Sequence, residues 1–475
     1  MSAQLIPQIA LERRAGGEIV ACFEAHSVGL GKLSPGAAER VKTLRTGLPL
    51  RTLSSDAGGI NKEMHGLVRR LARHGLLEYR LSGAGGEDGV VIEPQRPDYW
   101  PQAPQLRNAD ILVLSRFAYL RRRGKDMVLE SPLAGALFKI DDPKVVSMLA
   151  TLASPQCVGR LRRELDFPAD ELLALLLDSR ILFKLASARA SGLRSEEGDE
   201  SLILWDFHDL LFHARSTQGR HANPLGGVYP YAGVIAPLPA VRPRWPGKRI
   251  DLRRLSHTHA RAVSPAAKLL GRRRSTRSFD DRRPITLAEI ARFLDTAARV
   301  GPRRRGKLDP GKDGATIGYA ARPYPSGGAS YELELYLAVD KCEGLASGFY
   351  HYDAGRHALT AIAVDARALE ALFTGAEIAM GTPAVPQVLI TIAARFGRVA
   401  WKYSSIAYAL ILKDVGVLMQ TLYLVASDMG LGGCAIGSVN IDLFERMTGI
   451  EFHVEGPIGQ FALGRAAPNE ARGRR

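Results

Sequence analysis

Cysteine is scarce: four in 475 residues (Cys22, Cys157, Cys342 and Cys434), far apart and with no CxxC pair. That argues against a disulfide framework and a cysteine-rich zinc site, and fits a reducing cytoplasm. No eighteen-residue run is both apolar and uncharged. The most apolar stretch, 406–426, is interrupted by Lys413 and Asp414, so no membrane span is expected. The opening residues, MSAQLIPQIALERR, lack a basic start leading into a continuous apolar region and do not read as a signal peptide. No GxGxxG dinucleotide fingerprint is visible. Negative charge is in deficit, with 49 acidic against 64 basic residues and a net charge of +15. Such a surplus suits nucleic acid, an anionic membrane or an acidic peptide partner. The basic clusters at 121–125 and 303–307 read as solvated surface.

The chain is 46% hydrophobic and long enough to bury the cores of two or three domains. Residues 1–95 read as a strand near 19–24, helices near 37–44 and 60–74, and a closing strand LLEYRL. In the second helix Ile60, Met64, Leu67, Val68 and Leu71 share one face. Residues 105–190 repeat the order, with helices at 143–152, 158–165 and 168–178 closed by RILFKL. The endings GLLEYRL and SRILFKL stand about a hundred residues apart, as in a diverged duplication. Helix, helix, helix, strand is the winged-helix order. It serves DNA binding through its last helix, peptide capture as an added strand, or packing alone. Lys62, Arg69, Arg70 and Arg73 are compatible with the first of these. A Pro-rich linker is expected over 191–255 and a catalytic domain over 256–475. There the fold class is α+β: helices at 287–300, 365–374, 404–429 and 441–447, and strands at 332–339, 348–352, 387–394, 433–436 and 459–463. The helix at 404–429 is apolar nearly all round and must be buried centrally or at a subunit interface.

Three stretches carry chemistry. In GRRRSTRSFDDRRPITLAEI, Thr286 and Glu289 form a capping-box pattern, so the arginines precede a helix. Arg273, Arg274, Ser275 and Arg277 could together hold a phosphate through charge-assisted hydrogen bonds. In RPYPSGGASYELELYLAV, Pro325 fixes an entry angle, Gly327 and Gly328 let backbone approach a flat ring, and Ser326 offers a hydroxyl. In MGLGGCAIGSVN a glycine-rich strand follows the long helix. Backbone N–H groups around Ala435, Ile436, Gly437 and Ser438 could face the edge of a reduced ring. Read together, these look like the parts of a flavin mononucleotide (FMN) pocket. Singly, each also reads as an ordinary basic turn, strand entry or helix cap.

These segments, with EGLASGFYHYDAGRHAL, WKYSSIAYAL, GVLMQTLYLVASDMGLGGCAIG and FALGR, resemble the FMN-dependent nitroreductase superfamily over about 200 residues. More narrowly, YPSGGA with GFYHYD resembles its SagB-type branch, the azoline dehydrogenases that mature thiazole- and oxazole-containing peptides. The resemblance implies a nitroreductase-like domain with a mixed sheet, helices on its faces and a long central helix, preceded by two winged-helix-like segments. It implies FMN at the interface of a homodimer, and Lys402 and Tyr403 as the pair beside the substrate. It further implies a lysine buried enough to act as base. Arg465 in ALGR becomes a last phosphate contact. The front segments would grip the leader of a precursor peptide, alongside a cyclodehydratase, which makes nucleic acid an unlikely partner. One departure is visible: SSIAYAL lacks the arginine expected after its tyrosine. A generic NAD(P)H-dependent nitro- or quinone reductase and a flavin-less winged-helix scaffold or DNA-binding protein are the other readings.

Overall fold

The structure is a computed structural model; it describes all residues except 15–16, 24–25, 54–58, 83–87, 165–168, 187–198, 224–225, 243, 245, 247, 253–262, 308–315 and 469–475. Two compact units result, Met1–Asn223 and Pro224–Arg475.

In the first unit a seven-stranded antiparallel sheet runs in the order Leu48–Pro49, Ser2–Leu5, Leu77–Ser82, Asp88–Pro94, Ala136–Ile140, Asp126–Glu130, Tyr119–Arg123. The pairing of Asp88–Pro94 with Ala136–Ile140 crosses the boundary expected between residues 95 and 105. The two expected segments therefore share one sheet and one apolar cluster. The helix Ile60–Arg73 buries Met64, Leu67, Val68 and Leu71 at helical spacing. Ile60, expected on the same face, is exposed in the first turn. The later helices Pro143–Thr151, Val158–Glu164 and Ala169–Asp178 accompany a smaller sheet of Gln156–Cys157, Ile111–Leu114 and Leu182–Leu185. Residues 165 and 168, where helix ends were expected, lie outside the described residues.

The two helix-to-strand junctions share their geometry. Gly75 has φ +65° and Leu76 N–H donates to Leu71 O at 3.0 Å; Arg180 has φ +54° and Ile181 N–H donates to Leu176 O at 2.9 Å. The expected linker is also narrower than 191–255. Residues 191–198 lie outside the described residues, and helices Glu200–Ile203 and Phe207–Arg215 bury Leu202, Leu210 and Ala214 within the first unit. Proline-rich composition begins only afterwards. The cluster at 121–125 is an edge strand whose Arg121 and Arg123 pair with Glu130 and Glu93.

The second unit is built on a six-stranded sheet ordered Ala358–Ile362, Gly348–Asp353, Leu333–Val339, Val388–Arg395, Glu455–Gly464, Gly432–Ile436. All its ladders are antiparallel; a parallel ladder, among the described residues, joins only Ile285–Thr286 to Cys342–Glu343. Alternation along Leu333–Val339 sends Leu335 and Leu337 to one face and Tyr336 and Ala338 to the other. Helices Ala366–Met380 and Ile441–Thr448 cover the second face through Leu372, Phe373, Leu443 and Phe444. The helix Ala407–Asp428 packs on the first face, and Gly459 lies beneath it, where a Cβ would stand 2.4 Å from Met419 Cε. By length and composition this helix could cross a membrane, with mean hydropathy 1.6, and core helices pass the same test. Only 39% of its most apolar window is buried within the chain. The cluster at 303–307 is a strand hairpinned to Thr316–Ala320.

Candidate functional site

The Pro-Ser-Gly-Gly turn is clasped by the long helix. Gly327 N–H donates to Asp414 Oδ2 at 2.9 Å, and Ser326 Oγ lies 2.9 Å from Asp414 Oδ2 and 3.2 Å from Glu332 Oε2. Tyr331 N–H donates to the same hydroxyl at 2.9 Å. A serine hydroxyl has one proton and two lone pairs, so it donates to only one of two carboxylates. The arrangement closes if Glu332 is protonated and donates to Ser326, which donates to Asp414. Consistent with this, burial, with Asp414 close by, pushes the Glu332 carboxyl above the usual range. Glu332 is fully buried and its Oε1 has no partner. The sequence offered the Ser326 hydroxyl to a cofactor's ribityl chain or ring edge; in the structure it pins a buried carboxyl pair.

Beyond the pin, Gly328 takes φ +59°, a conformation that suits glycine. Its carbonyl accepts from Lys402 Nζ at 3.0 Å. A Cβ there would stand 2.2 Å from Tyr403 Oη and 2.5 Å from Lys402 Nζ, so any side chain would displace the tips of that pair. Lys402 Nζ also sits 5.3 Å from the Tyr403 ring and 5.8 Å from that of Tyr319. The turn and the Lys402–Tyr403 pair, 74 residues apart in sequence, thus form one cluster. Lys402 is exposed, so its own chain does not provide the burial expected for a base.

A second cluster centres on Tyr423, which the sequence did not single out. Ala435 N–H donates to its hydroxyl at 2.8 Å, Ser275 Oγ lies 2.8 Å from that hydroxyl, and the Arg273 guanidinium is 5.0 Å from the ring centroid. Thr276 N–H donates to Gly433 O at 2.8 Å. Tyr423 so joins the arginine segment to the glycine-rich strand. Two expectations change here. The Ala435 N–H is engaged by Tyr423, and the Arg465 Nη2, expected at a phosphate, pairs within the chain with both Glu289 oxygens at 2.8 and 2.9 Å, while Nε donates to Arg283 O. Arg465 therefore secures the capping box of helix Leu287–Ala298, which is present as expected.

Arg274, Arg277 and Gly437 are exposed, Pro325 is at the surface, Ser438 is half-buried and Ile436 is buried. A Cβ on Gly437 would meet nothing within 4 Å, which leaves open space beside the strand end. The donor set fits FMN in chemistry: Arg273, Arg274 and Arg277 are cations that could meet a phosphate, Gly437 leaves backbone open, and Gly328 presents a surface without a side chain. Asp414 and Tyr423 are nine residues apart on the helix, roughly half a turn out of phase, so the two clusters lie on different sides of it.

Among known proteins, the nitroreductase family matches residues 270–465 and the cyanobactin oxidase ThcOx family matches residues 112–222. A putative nitroreductase, MJ1384, of Methanocaldococcus jannaschii is 31% identical over 170 residues, 36% of this chain and 77% of that protein. The trifolitoxin-processing protein TfxB of Rhizobium leguminosarum bv. trifolii is 27% identical over 154 residues, 32% of this chain and 41% of that protein. Among solved structures, a putative nitroreductase from Ralstonia eutropha JMP134 is 22% identical with a TM-score of 0.33, covering 43% of this chain and 85% of that one. A chain of the Escherichia coli microcin synthetase McbBCD complex, solved with truncated pro-MccB17 bound, is 20% identical with a TM-score of 0.39, covering 59% and 99%. With the YPSGG turn, the Lys402–Tyr403 pair and the long helix in this arrangement, and with a relative at this identity matched over most of its length, the chain belongs to the nitroreductase family of oxidoreductases.

Proposed function

We propose that this chain is an FMN-dependent dehydrogenase that oxidises thiazoline or oxazoline rings of a ribosomally made peptide to thiazole or oxazole. The observation that carries the reading is the match of residues 112–222, in the first unit, to a cyanobactin oxidase family, in a chain whose second unit matches nitroreductases. The likeness to a trifolitoxin-processing protein points the same way.

Aromatising an azoline removes a proton from one ring carbon and a hydride from its neighbour. Bound FMN would supply the two-electron acceptor. Lys402 Nζ takes the ring proton, with the Gly328 carbonyl fixing where the amine stands. Tyr403 Oη, against the same glycine, orients the ring. Arg273, Arg274 and Arg277 hold the cofactor phosphate. Because the two clusters lie on different sides of the long helix, a pocket using both draws them from two chains. The incompletely buried apolar surface of that helix supports the same homodimer. The first unit grips the precursor's leader, and a cyclodehydratase supplies the azoline.

The test is mass spectrometry of an azoline-bearing peptide incubated with the purified protein, where loss of two hydrogens is expected. Lys402→Ala and Tyr403→Phe should keep the flavin colour and lose that mass change; full turnover by both would overturn their roles. Arg273→Ala should weaken FMN retention by about 1.5–3 kcal/mol. The 31% identity to a putative nitroreductase favours a second reading, reduction of nitro or quinone substrates by NAD(P)H. Rapid bleaching of the flavin by NADPH, with no mass change on the peptide, would select it.

A further inference from the structure

A cavity of about 690 Å³ opens at the end of the six-stranded sheet, on the face turned away from the long helix. Its polar wall includes Arg322, Glu334, Tyr336, His351, Arg395 and Glu455. Only Tyr331, whose N–H meets Ser326, and its neighbour Ser330 reach it from the Pro-Ser-Gly-Gly clasp; Lys402, Tyr403, Arg273 and Tyr423 do not line it.

The Glu334 carboxylate faces three cationic side chains: Arg322 Nη2 and Arg395 Nη1 at 3.8 Å, and His351 Nε2 at 3.6 Å. None reaches the 2.7–3.2 Å of a formed N–H···O bond. The Arg322 side chain is only 7% exposed, yet its Nε is buried without a partner. A guanidinium withdrawn from water is costly unless its N–H groups are met. The other acidic groups offset little of this charge. Glu455 accepts from Tyr336 Oη at 2.7 Å, and burial pushes its carboxyl toward the neutral form. Asp353 is bound by Arg356 and by the backbone N–H groups of Gly355 and Arg356. Arg303 and Arg398 add two further positive charges to the rim.

We propose that this cavity binds a carboxylate of a ligand, bridged between Arg322 and Arg395. The planar fork of arginine pairs two-to-two with a carboxylate. A phosphate dianion suits the site less, because its second negative charge would also face the Glu334 carboxylate. Val300, Tyr331, Ile362 and Ile450 line the rest of the space and would take the ligand's apolar body. Such a carboxylate can come from an acidic peptide side chain or from a small dicarboxylic acid. The proposal stands apart from the redox reading, since binding is measured without turnover.

The experiment is calorimetry on the full chain with four probes: a capped glutamyl-glycine amide, its glutaminyl counterpart, glutarate, and inorganic phosphate. The glutamyl probe should bind at least about tenfold more tightly than the glutaminyl one. Tighter binding of the glutamyl probe than of glutarate identifies a peptide source; the reverse identifies a small acid. Arg395, with a side chain 59% exposed, can be changed without disturbing the fold. Arg395→Gln should weaken the carboxylate probes about tenfold and leave the glutaminyl probe unaffected; Arg322→Met should do the same if it folds. No heat from either carboxylate, equal affinity for the glutamyl and glutaminyl probes, unchanged binding in Arg395→Gln, or equally tight binding of inorganic phosphate would each overturn the proposal.

Discussion

Beside the long helix, Ser326, Gly327 and Asp414 meet at 2.9 Å, and Tyr423, Ser275 and Ala435 at 2.8 Å. On the other face of the same sheet, Arg322, Arg395 and His351 stand 3.6–3.8 Å from Glu334 without closing on it. The first set of groups is satisfied within the chain and shapes the backbone around it. The second is held close by the fold and still has donors to offer. Closed networks position, and open ones receive. Substitutions should therefore cost stability on the first side and ligand affinity on the second.

The sharpest break is Asp414→Ala. It removes the acceptor of both Ser326 and Gly327 and leaves them half-buried without it, and should cost about 2–3 kcal/mol in urea unfolding. Arg395→Gln, the counterpart across the sheet, should change stability by less than about 0.5 kcal/mol. Gly328→Ala comes next: a Cβ at φ +59° and 2.2 Å from Tyr403 Oη forces the Lys402–Tyr403 pair away. It should cost about 1–2 kcal/mol and lower turnover more than it weakens peptide binding, a split that kcat and KM would reveal. Tyr423→Phe keeps the ring under Arg273 and loses the hydroxyl, for about 1 kcal/mol. A double-mutant cycle with Ser275→Ala should show the two losses coupled.

The smallest effect is a pH dependence. The Glu332 carboxyl is raised in the folded chain, so the fold holds that proton more tightly than the unfolded chain does. Its contribution is fully present below the ordinary carboxylate range and is lost as pH rises through the raised folded value. Glu332→Gln should flatten that part of the profile, as urea midpoints across a pH series would show. An unchanged profile would remove the shared proton from the clasp.

Much of this was legible in the sequence because it is local. Helical spacing gave the helix Ile60–Arg73, Thr286 and Glu289 gave the start of Leu287–Ala298, and alternation gave Leu333–Val339. The turn at 325–328 and the Lys402–Tyr403 pair were visible as motifs. What escaped is long-range pairing. Asp414 read as an interruption of an apolar run, although a lone carboxylate in such a helix already asks what it binds. Tyr423 looked like one more core aromatic. Arg465 and Glu289 each suggested a local task, and their ion pair spans 176 residues. The strand Arg303–Lys307 was hidden because its side chains are almost all exposed and carry no apolar alternation.

The shared ladder of the first unit has a practical consequence. Asp88–Pro94 lies between Leu77–Ser82 and Ala136–Ile140, with partners on both sides. A truncation that begins after residue 95 would strip Ala136–Ile140 of that neighbour and uncover a row of unpaired amides and carbonyls beside Phe138 and Ile140. Raw strand margins of that kind recruit other chains. Shortened versions of this protein should thus precipitate or self-associate, however well their catalytic half is made.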